Sequence, residues 1–272
     1  MNERKTLKEI FSDTQKMYSE HQVLACACAE TRKNEKLYPA QEEISFEKNR
    51  FSESADVFLS KKRTLEAAAD YARKGIKTCV LNFANSFSPG GAVCVARTQE
   101  ECLCRSSTLY DSLTTQTMID NFYNKHCQDD NPLGTDDIIF SPGVKVFKTD
   151  EIYAELMDES EWFDVDVITC AAPCLFEESD TQEISDDELS ALLESRFHKI
   201  ASVAAANCDD VLILGAFGRG ALRNPPELVA RTARKVLTEY AHSFKTVEFA
   251  VWCAEYETEN YRAFKKIFPS GD

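Results

Sequence analysis

The residues best equipped for chemistry lie close together. Thr98-Gln99-Glu100-Glu101 sets two adjacent carboxylates at the start of a predicted helix, directly after the glycine-bearing loop Asn85-Ser-Phe-Ser-Pro-Gly-Gly-Ala92. A positioned carboxylate exchanges a proton or presents an anion to a developing cation. Glycines, having no Cβ, let backbone N–H groups approach and cradle a phosphate. A second loop of the same kind, Gly215-Ala-Phe-Gly-Arg-Gly220, lies far along the chain. Each loop alone is equally a turn requiring positive φ. Thr98 and Glu101 also fit a T-x-x-E capping box, in which acidic residues complement the positive helix end. Spacing by itself favours the cap; position just beyond a phosphate-type loop favours catalysis.

Other chemistries lack their signatures. No G-x-x-x-x-G-K-[ST] occurs, and G-x-x-G-x-G has the wrong spacing for a dinucleotide fingerprint, which argues against a dehydrogenase. The eleven cysteines are an odd, scattered set with no C-x-x-C. The four histidines lie far in sequence from the two C-x-C pairs, so a metal is not expected. Thiols inside apolar runs such as Lys77–Phe83 behave as small hydrophobes in a reducing compartment.

The elements that must hold these groups read as alternating strands and helices. Leu7, Ile10, Phe11, Thr14, Met17 and Tyr18 recur at helical spacing, and residues 30–56 then turn polar and irregular. Ser60 is a predicted cap for a helix carrying Leu65, Ala68, Ala69 and Ala72, stopped near Gly75. Buried strands are expected at Ile76–Phe83, Asp164–Ala172, Val211–Gly215 and Thr246–Cys253. Ile138–Phe140 and Val144–Phe147 read as two short strands around Ser141-Pro142-Gly143. Ser185 with Glu188 forms a capping box ahead of a long helix, Asn224-Pro-Pro-Glu227 starts another, and Glu259–Phe268 closes the chain. The acidic stretch Glu177–Asp187 reads as a solvated loop. This alternation implies a largely parallel sheet with helices on both faces, where ligands bind beyond the carboxyl ends of the strands.

Thirty-one basic against forty-six acidic residues give a net charge of −15, a field that repels nucleic-acid backbones and anionic membranes. One small phosphate ligand held by backbone N–H groups remains compatible with it. The charged start and the lack of a long apolar run predict a cytoplasmic protein.

Asn82-Phe-Ala-Asn-Ser-Phe-Ser-Pro-Gly-Gly-Ala-Val-Cys-Val-Ala-Arg-Thr-Gln-Glu-Glu-Cys-Leu-Cys-Arg-Ser-Ser-Thr-Leu-Tyr110 closely resembles the signature of the microbial-type poly(ADP-ribose) glycohydrolases. Ser60-Lys-Lys-Arg-Thr-Leu-Glu-Ala-Ala68, Ile168-Thr-Cys-Ala-Ala-Pro173 and Leu214-Gly-Ala-Phe-Gly-Arg-Gly-Ala-Leu-Arg-Asn-Pro-Pro226 extend the similarity over about residues 58–268. It implies a three-layer α/β/α macrodomain with a mixed, largely parallel central sheet and an N-terminal helical extension. An accessory segment is expected over 1–57 and the macrodomain over 58–272, as one compact unit.

The resemblance implies an ADP-ribosyl glycohydrolase, acting as a monomer without cofactor or metal on ADP-ribose or an ADP-ribosylated macromolecule. Glu101 would be the catalytic carboxylate, Glu100 would hold a ribose hydroxyl and Gln99 would orient the site. Asn85 would contact the distal ribose, and Gly90, Gly91 and Ala92 would pack against the sugar next to the diphosphate. Ala216, Phe217, Gly218, Arg219, Gly220, Ala221 and Leu222 would wrap the diphosphate. The chain departs from the pattern at Ala92, where a third glycine is usual. It departs again at Ser88 and Cys174, where asparagines are frequent, and at Arg219 and Leu222, where cysteine and phenylalanine are common. The Ala92 and Leu222 changes leave a non-catalytic ADP-ribose-binding macrodomain as the alternative. Arg219 is expected either to pair with the diphosphate or to face solvent.

Overall fold

The computed structural model describes residues 5–176, 184–220, 222–254 and 258–271. Helices α1 (Leu7–Glu20) and α2 (Gln22–Asn34) lead into strands β1 (Lys36–Tyr38) and β2 (Asp56–Ser60). There follow α3 (Thr64–Ala72), β3 (Thr78–Phe83), α4 (Gln99–Ser106), α5 (Leu109–Leu113), α6 (Gln116–Met118) and α7 (Asn124–Asp129). The rest comprises β4 (Ile138–Val146), β5 (Phe163–Cys170), α8 (Asp186–Ala206), β6 (Val211–Leu214), α9 (Pro226–Leu237), β7 (Thr246–Ala250) and α10 (Glu259–Lys265). The seven strands form one sheet in the order β1-β4-β5-β3-β6-β7-β2. β4 runs antiparallel to its two neighbours, β1 and β5; the other four pairings are parallel.

Alternation along the strands divides the core into two layers. Cys79, Leu81, Ile168, Leu212 and Phe249 face α8, α9 and α10, whereas Val80, Val165, Val167 and Ile213 face α3, α4 and the 118–123 segment. Strands buried on both faces read as continuous apolar runs, which made β3, β5, β6 and β7 recognisable. β5, β6 and β7 end before their expected carboxyl ends, because pairing stops where the loops leave the sheet, and β3 begins at Thr78 rather than Ile76.

Four expectations need correction, all for reasons of long range. Ser60 ends β2 and its carbonyl accepts from Val251 N–H at 3.0 Å. The first residue of α3 is Thr64, and the Asp150 carboxylate, from far along the chain, accepts the Leu65 N–H at 2.6 Å. Residues 138–146 form one strand, not two: its register against β5 shifts between Ser141 and Val144, and Gly143, at φ +64°, donates its N–H to Asp166 at 2.8 Å. The 30–56 region contains the end of α2, all of β1 and the first residue of β2. Asn224 does not cap α9; Pro225 holds that place, and the Asn224 amide donates to the carbonyls of Pro173 and Gly218 at 2.7 and 3.0 Å. The Ser185–Glu188 capping box forms as expected. Of the acidic stretch 177–187, residues 177–183 lie outside the described residues.

The N-terminal segment is built into the sheet. β1 adds to one edge and β2 to the other, so an expected boundary after residue 57 falls inside a strand. Residues 39–55 cross between the edges. Lys199 of α8 donates to the Pro39 carbonyl at 2.8 Å, and Arg50 to the Asp209 and Cys208 carbonyls at 2.8 and 3.1 Å. Among the described residues no helix is long and apolar enough to cross a membrane.

Candidate active site

β3 and β6 are neighbours in the sheet, and both glycine loops leave their carboxyl ends. Pairing between the two strands ends at Val80 with Ile213. Beyond it the Gln99 side chain takes over the vacated edge of β3. Its Oε1 accepts from Phe83 N–H at 2.9 Å, and its Nε2 donates to the Leu81 carbonyl at 2.7 Å and to Thr64 Oγ1 at 3.1 Å. Gln99 thereby imitates a strand neighbour and fixes where α4 begins relative to the sheet.

That placement buries both glutamates, Glu100 at 3% and Glu101 at 5% exposure. Asn85 N–H donates to Glu100 Oε2 at 2.7 Å and Asn82 Nδ2 to Oε1 at 3.3 Å. Burial, offset in part by these donors and reinforced by the charge of Glu101, pushes the Glu100 carboxyl up to about 8. Glu101 Oε1 accepts from Ala92 N–H at 3.1 Å, and Oε2 from the Thr98 hydroxyl.

The expected capping box is therefore absent. Thr98 does occupy the cap position, but its hydroxyl donates to the Glu101 carboxylate and its side chain makes no cap bond to the helix backbone. The carboxylate spans from the Thr98 hydroxyl to the Ala92 N–H of the loop and does not bond the cap backbone. The loop is shaped for it. Gly90 and Gly91 sit at φ +66° and +56°, and a Cβ on Gly91 would lie 2.6 Å from Glu101 Oε1. A Cβ on Gly90 would lie 2.9 Å from the Tyr110 ring. Ala92 meets no such limit: it is exposed, and the non-glycine residues at positive φ are Asp130, Cys208 and Arg223 among those described. Asn85 accepts from Phe87 and Ser88 N–H at 2.8 and 3.0 Å through Oδ1, which rounds the start of the loop.

The second loop is held by packing. A Cβ on Gly215 would lie 2.7 Å from the Phe83 ring, and one on Gly218, at φ +71°, would lie 2.5 Å from both Ala172 Cβ and Asn224 Nδ2. Phe217 is buried edge-on against Phe83 and Phe197, and its N–H donates to the Gly215 carbonyl at 2.8 Å. Ala216 is half-buried and Gly220 exposed, Leu222 packs against the α8–α9 core, and Ala221 lies outside the described residues. Arg219 donates from Nε to Asn260 Oδ1 at 2.8 Å and from Nη2 to Glu259 at 2.5 Å, which draws its guanidinium to the first turn of α10.

Sequence reasoning passed over Asn82, Arg105 and Tyr123. Asn82 is a fully buried polar residue within an apolar strand, a signal visible in the run around it. Its Oδ1 and the Tyr123 hydroxyl are buried without a partner among the described residues, and burial, with the Glu100 charge behind it, raises the Tyr123 phenol. Arg105 follows Glu101 by four residues, a spacing readable on any helix. Among the described residues no group of three His, Cys, Asp or Glu is arranged to hold a metal ion.

Comparison with known proteins agrees with this fold. Residues 5–149 match the microbial-type PARG catalytic domain. Poly(ADP-ribose) glycohydrolase from Thermomonospora curvata is 28% identical with a TM-score of 0.84, covering 96% of this chain and 99% of that one. Its complex with the inhibitor ADP-HPD gives 0.82 at the same identity and coverage. The Deinococcus radiodurans enzyme in complex with ADP-ribose is 30% identical with a TM-score of 0.76, covering 88% of this chain and 95% of that one. No curated protein matches the chain. With the catalytic-domain match spanning more than half its length and these structural similarities extending over most of the rest, the chain belongs to the microbial-type poly(ADP-ribose) glycohydrolase family.

Proposed function

We propose that the protein hydrolyses the ribose glycosidic bond of ADP-ribose adducts, with Glu101 as the catalytic carboxylate. The observation that carries this reading is the state of Glu101: buried at a helix start, yet held by a loop N–H and a hydroxyl rather than used as a cap. Glycoside cleavage passes through an oxocarbenium-like state, commonly with two carboxylates flanking the bond. Glu100 and Glu101 are adjacent on one helix and both approach Gly91, at 3.1 and 2.6 Å from where its Cβ would lie, so they do not flank a bond from opposite faces and one carboxylate carries most of the proton transfer. A carboxyl titrating near 8 keeps its proton at neutral pH, which suits Glu100 to hold a ribose hydroxyl without adding negative charge beside Glu101. The diphosphate, cradled by the backbone of residues 216–222, supplies the anion that stabilises the cation and steers water. Asn85, Gly90, Gly91 and Ala92 flank the sugar, and Gln99 orients the site by fixing α4.

The finer reading places this enzyme in the cytoplasm, as a monomer that folds as one unit. Its eleven free thiols suit a reducing compartment, and its charge of −15 opposes indiscriminate nucleic-acid binding. A hydrolysis assay on ADP-ribosylated protein beside calorimetry with ADP-ribose tests the reading. Release of ADP-ribose is expected. Binding without release would make the protein a non-catalytic ADP-ribose-binding module, and failure of both would refute the assignment.

A further inference from the structure

Glu101 and Arg105 stand four residues apart on α4, the spacing that sets an acid beside a base on one helix face. Both are buried, yet among the described residues no ion pair joins them. They grip one turn of the first loop instead. Glu101 takes the Ala92 N–H, while Arg105 Nη1 donates to the carbonyls of Val93 at 2.7 Å and Ala96 at 2.9 Å. The turn closes on itself, the Ala92 carbonyl accepting from Val95 and Ala96 N–H at 2.9 and 2.8 Å. Arg105 is anchored in turn: its own carbonyl accepts from the Thr14 hydroxyl of α1 at 2.6 Å, and its Nη2 reaches Cys102 Sγ at 3.4 Å.

We propose that Arg105 is a positioning residue for hydrolysis, holding the 92–96 turn between its guanidinium and Glu101 so that the carboxylate stays clear of a direct ion pair. The proposal rests on the reading of Glu101 as the catalytic carboxylate. A guanidinium presents donors in a rigid fork that serves two carbonyls at once, whereas an ammonium is a compact point charge on a flexible stem. Loosening the turn frees the cation to pair with the acid four residues before it and releases the Ala92 N–H that aims the carboxylate.

Arg105→Lys and Arg105→Met in the full chain test this through kcat and KM on ADP-ribosylated protein, ADP-ribose affinity by calorimetry, and exchange of the Ala92 amide by NMR. The Lys variant keeps the charge and the stem. It is expected to lose kcat by roughly 10- to 100-fold, the scale of a misplaced catalytic group. KM and ADP-ribose affinity should stay near wild type, and Ala92 should exchange faster. Wild-type kcat in a folded variant overturns the proposal, as does loss of affinity in step with kcat while Ala92 exchange is unchanged. If the Met variant does not fold, the Lys variant decides; failure of both to fold assigns Arg105 to the fold alone and also overturns it. If the wild type releases no ADP-ribose, the functional reading fails, while Ala92 exchange still reports whether Arg105 holds the turn.

Discussion

The two glycine loops leave adjacent strands and are held in different proportions by charge and by packing. Residues 85–98 are gripped by charge and hydrogen bonds from α4, through Glu100, Glu101 and Arg105, while Gln99 fixes α4 to β3. Residues 215–220 and 222–224 are held largely by packing, with Phe217 in an aromatic cluster and Gly218 wedged against Ala172 and Asn224, helped by the Asn224 amide on the Pro173 and Gly218 carbonyls and by Arg219 on Asn260 and Glu259. In the first loop the grip comes from two carboxylates and a guanidinium. In the second it comes chiefly from close packing around Gly215 and Gly218. Damage to the first is therefore expected in turnover, and damage to the second in stability.

The sharpest division should come from Glu101→Gln. Glutamine accepts the same N–H but exchanges no proton, so hydrolysis is expected to fall by about 10²–10⁴-fold, the usual contribution of a general acid or base. ADP-ribose affinity should stay within a few-fold and the melting temperature near wild type. A Gln variant that turns over at the wild-type rate would leave Glu101 as scaffold and dissolve the contrast.

Gly218→Ala is the matching test on the other loop. A methyl there enters occupied space and adopts a left-handed backbone, so a loss of about 2–4 kcal/mol of stability is expected from overpacking and strain combined. Chemical denaturation reads it out. Native stability in the Gly218→Ala variant would show that the second loop is not held by shape.

Glu100 sets a pH test of the first loop. Its carboxyl titrates near 8 in the folded protein and within the usual carboxylate range in the unfolded chain. Between those values the folded state keeps a proton that the unfolded state has lost, so stability falls as pH rises through that window and levels off above it. Glu100→Gln resembles the protonated acid and removes the dependence. The stability of the Gln variant minus that of wild type should therefore grow from pH 5 to pH 8; a difference that stays flat would place the Glu100 proton elsewhere.

The smallest effect is expected from Arg219→Ala. Its guanidinium is engaged by Glu259 and Asn260, so the substitution should change stability by at most about 1 kcal/mol, as for a partly exposed ion pair. ADP-ribose affinity should weaken by a similar amount or less. A tenfold or larger loss in calorimetry would mean that Arg219 leaves α10 for the diphosphate when ligand binds.

What the sequence disclosed follows the range of the interactions involved. Apolar runs announced β3, β5, β6 and β7 because burial on both faces leaves a local composition. Both glycine loops and the Gln99–Glu101 signature were readable for the same reason. The capping box at Thr98 was a sound local inference that a tertiary contact overrode: the Ala92 N–H and the Thr98 hydroxyl both converge on the carboxylate. Distant partners left no local trace. Asp150 at the start of α3, Gln99 along the edge of β3 and the Asp166 acceptor that bends β4 all join segments far apart in the chain. The edge strands β1 and β2 were missed for their brevity: Lys36–Tyr38 has three residues, and the apolar run of β2 is only Val57–Leu59.

Those two edge strands govern the order in which the molecule can be completed. Asp56–Ser60 has its partner in Thr246–Ala250, and Lys36–Tyr38 in Ile138–Phe140. During synthesis the first sixty residues leave the ribosome well before either partner exists. The belt from residue 39 to 55 must then wait, unpaired, until nearly the whole chain is made. The pairing of β2 with β7 therefore joins residues about 190 positions apart and cannot form before Thr246–Ala250 has been made.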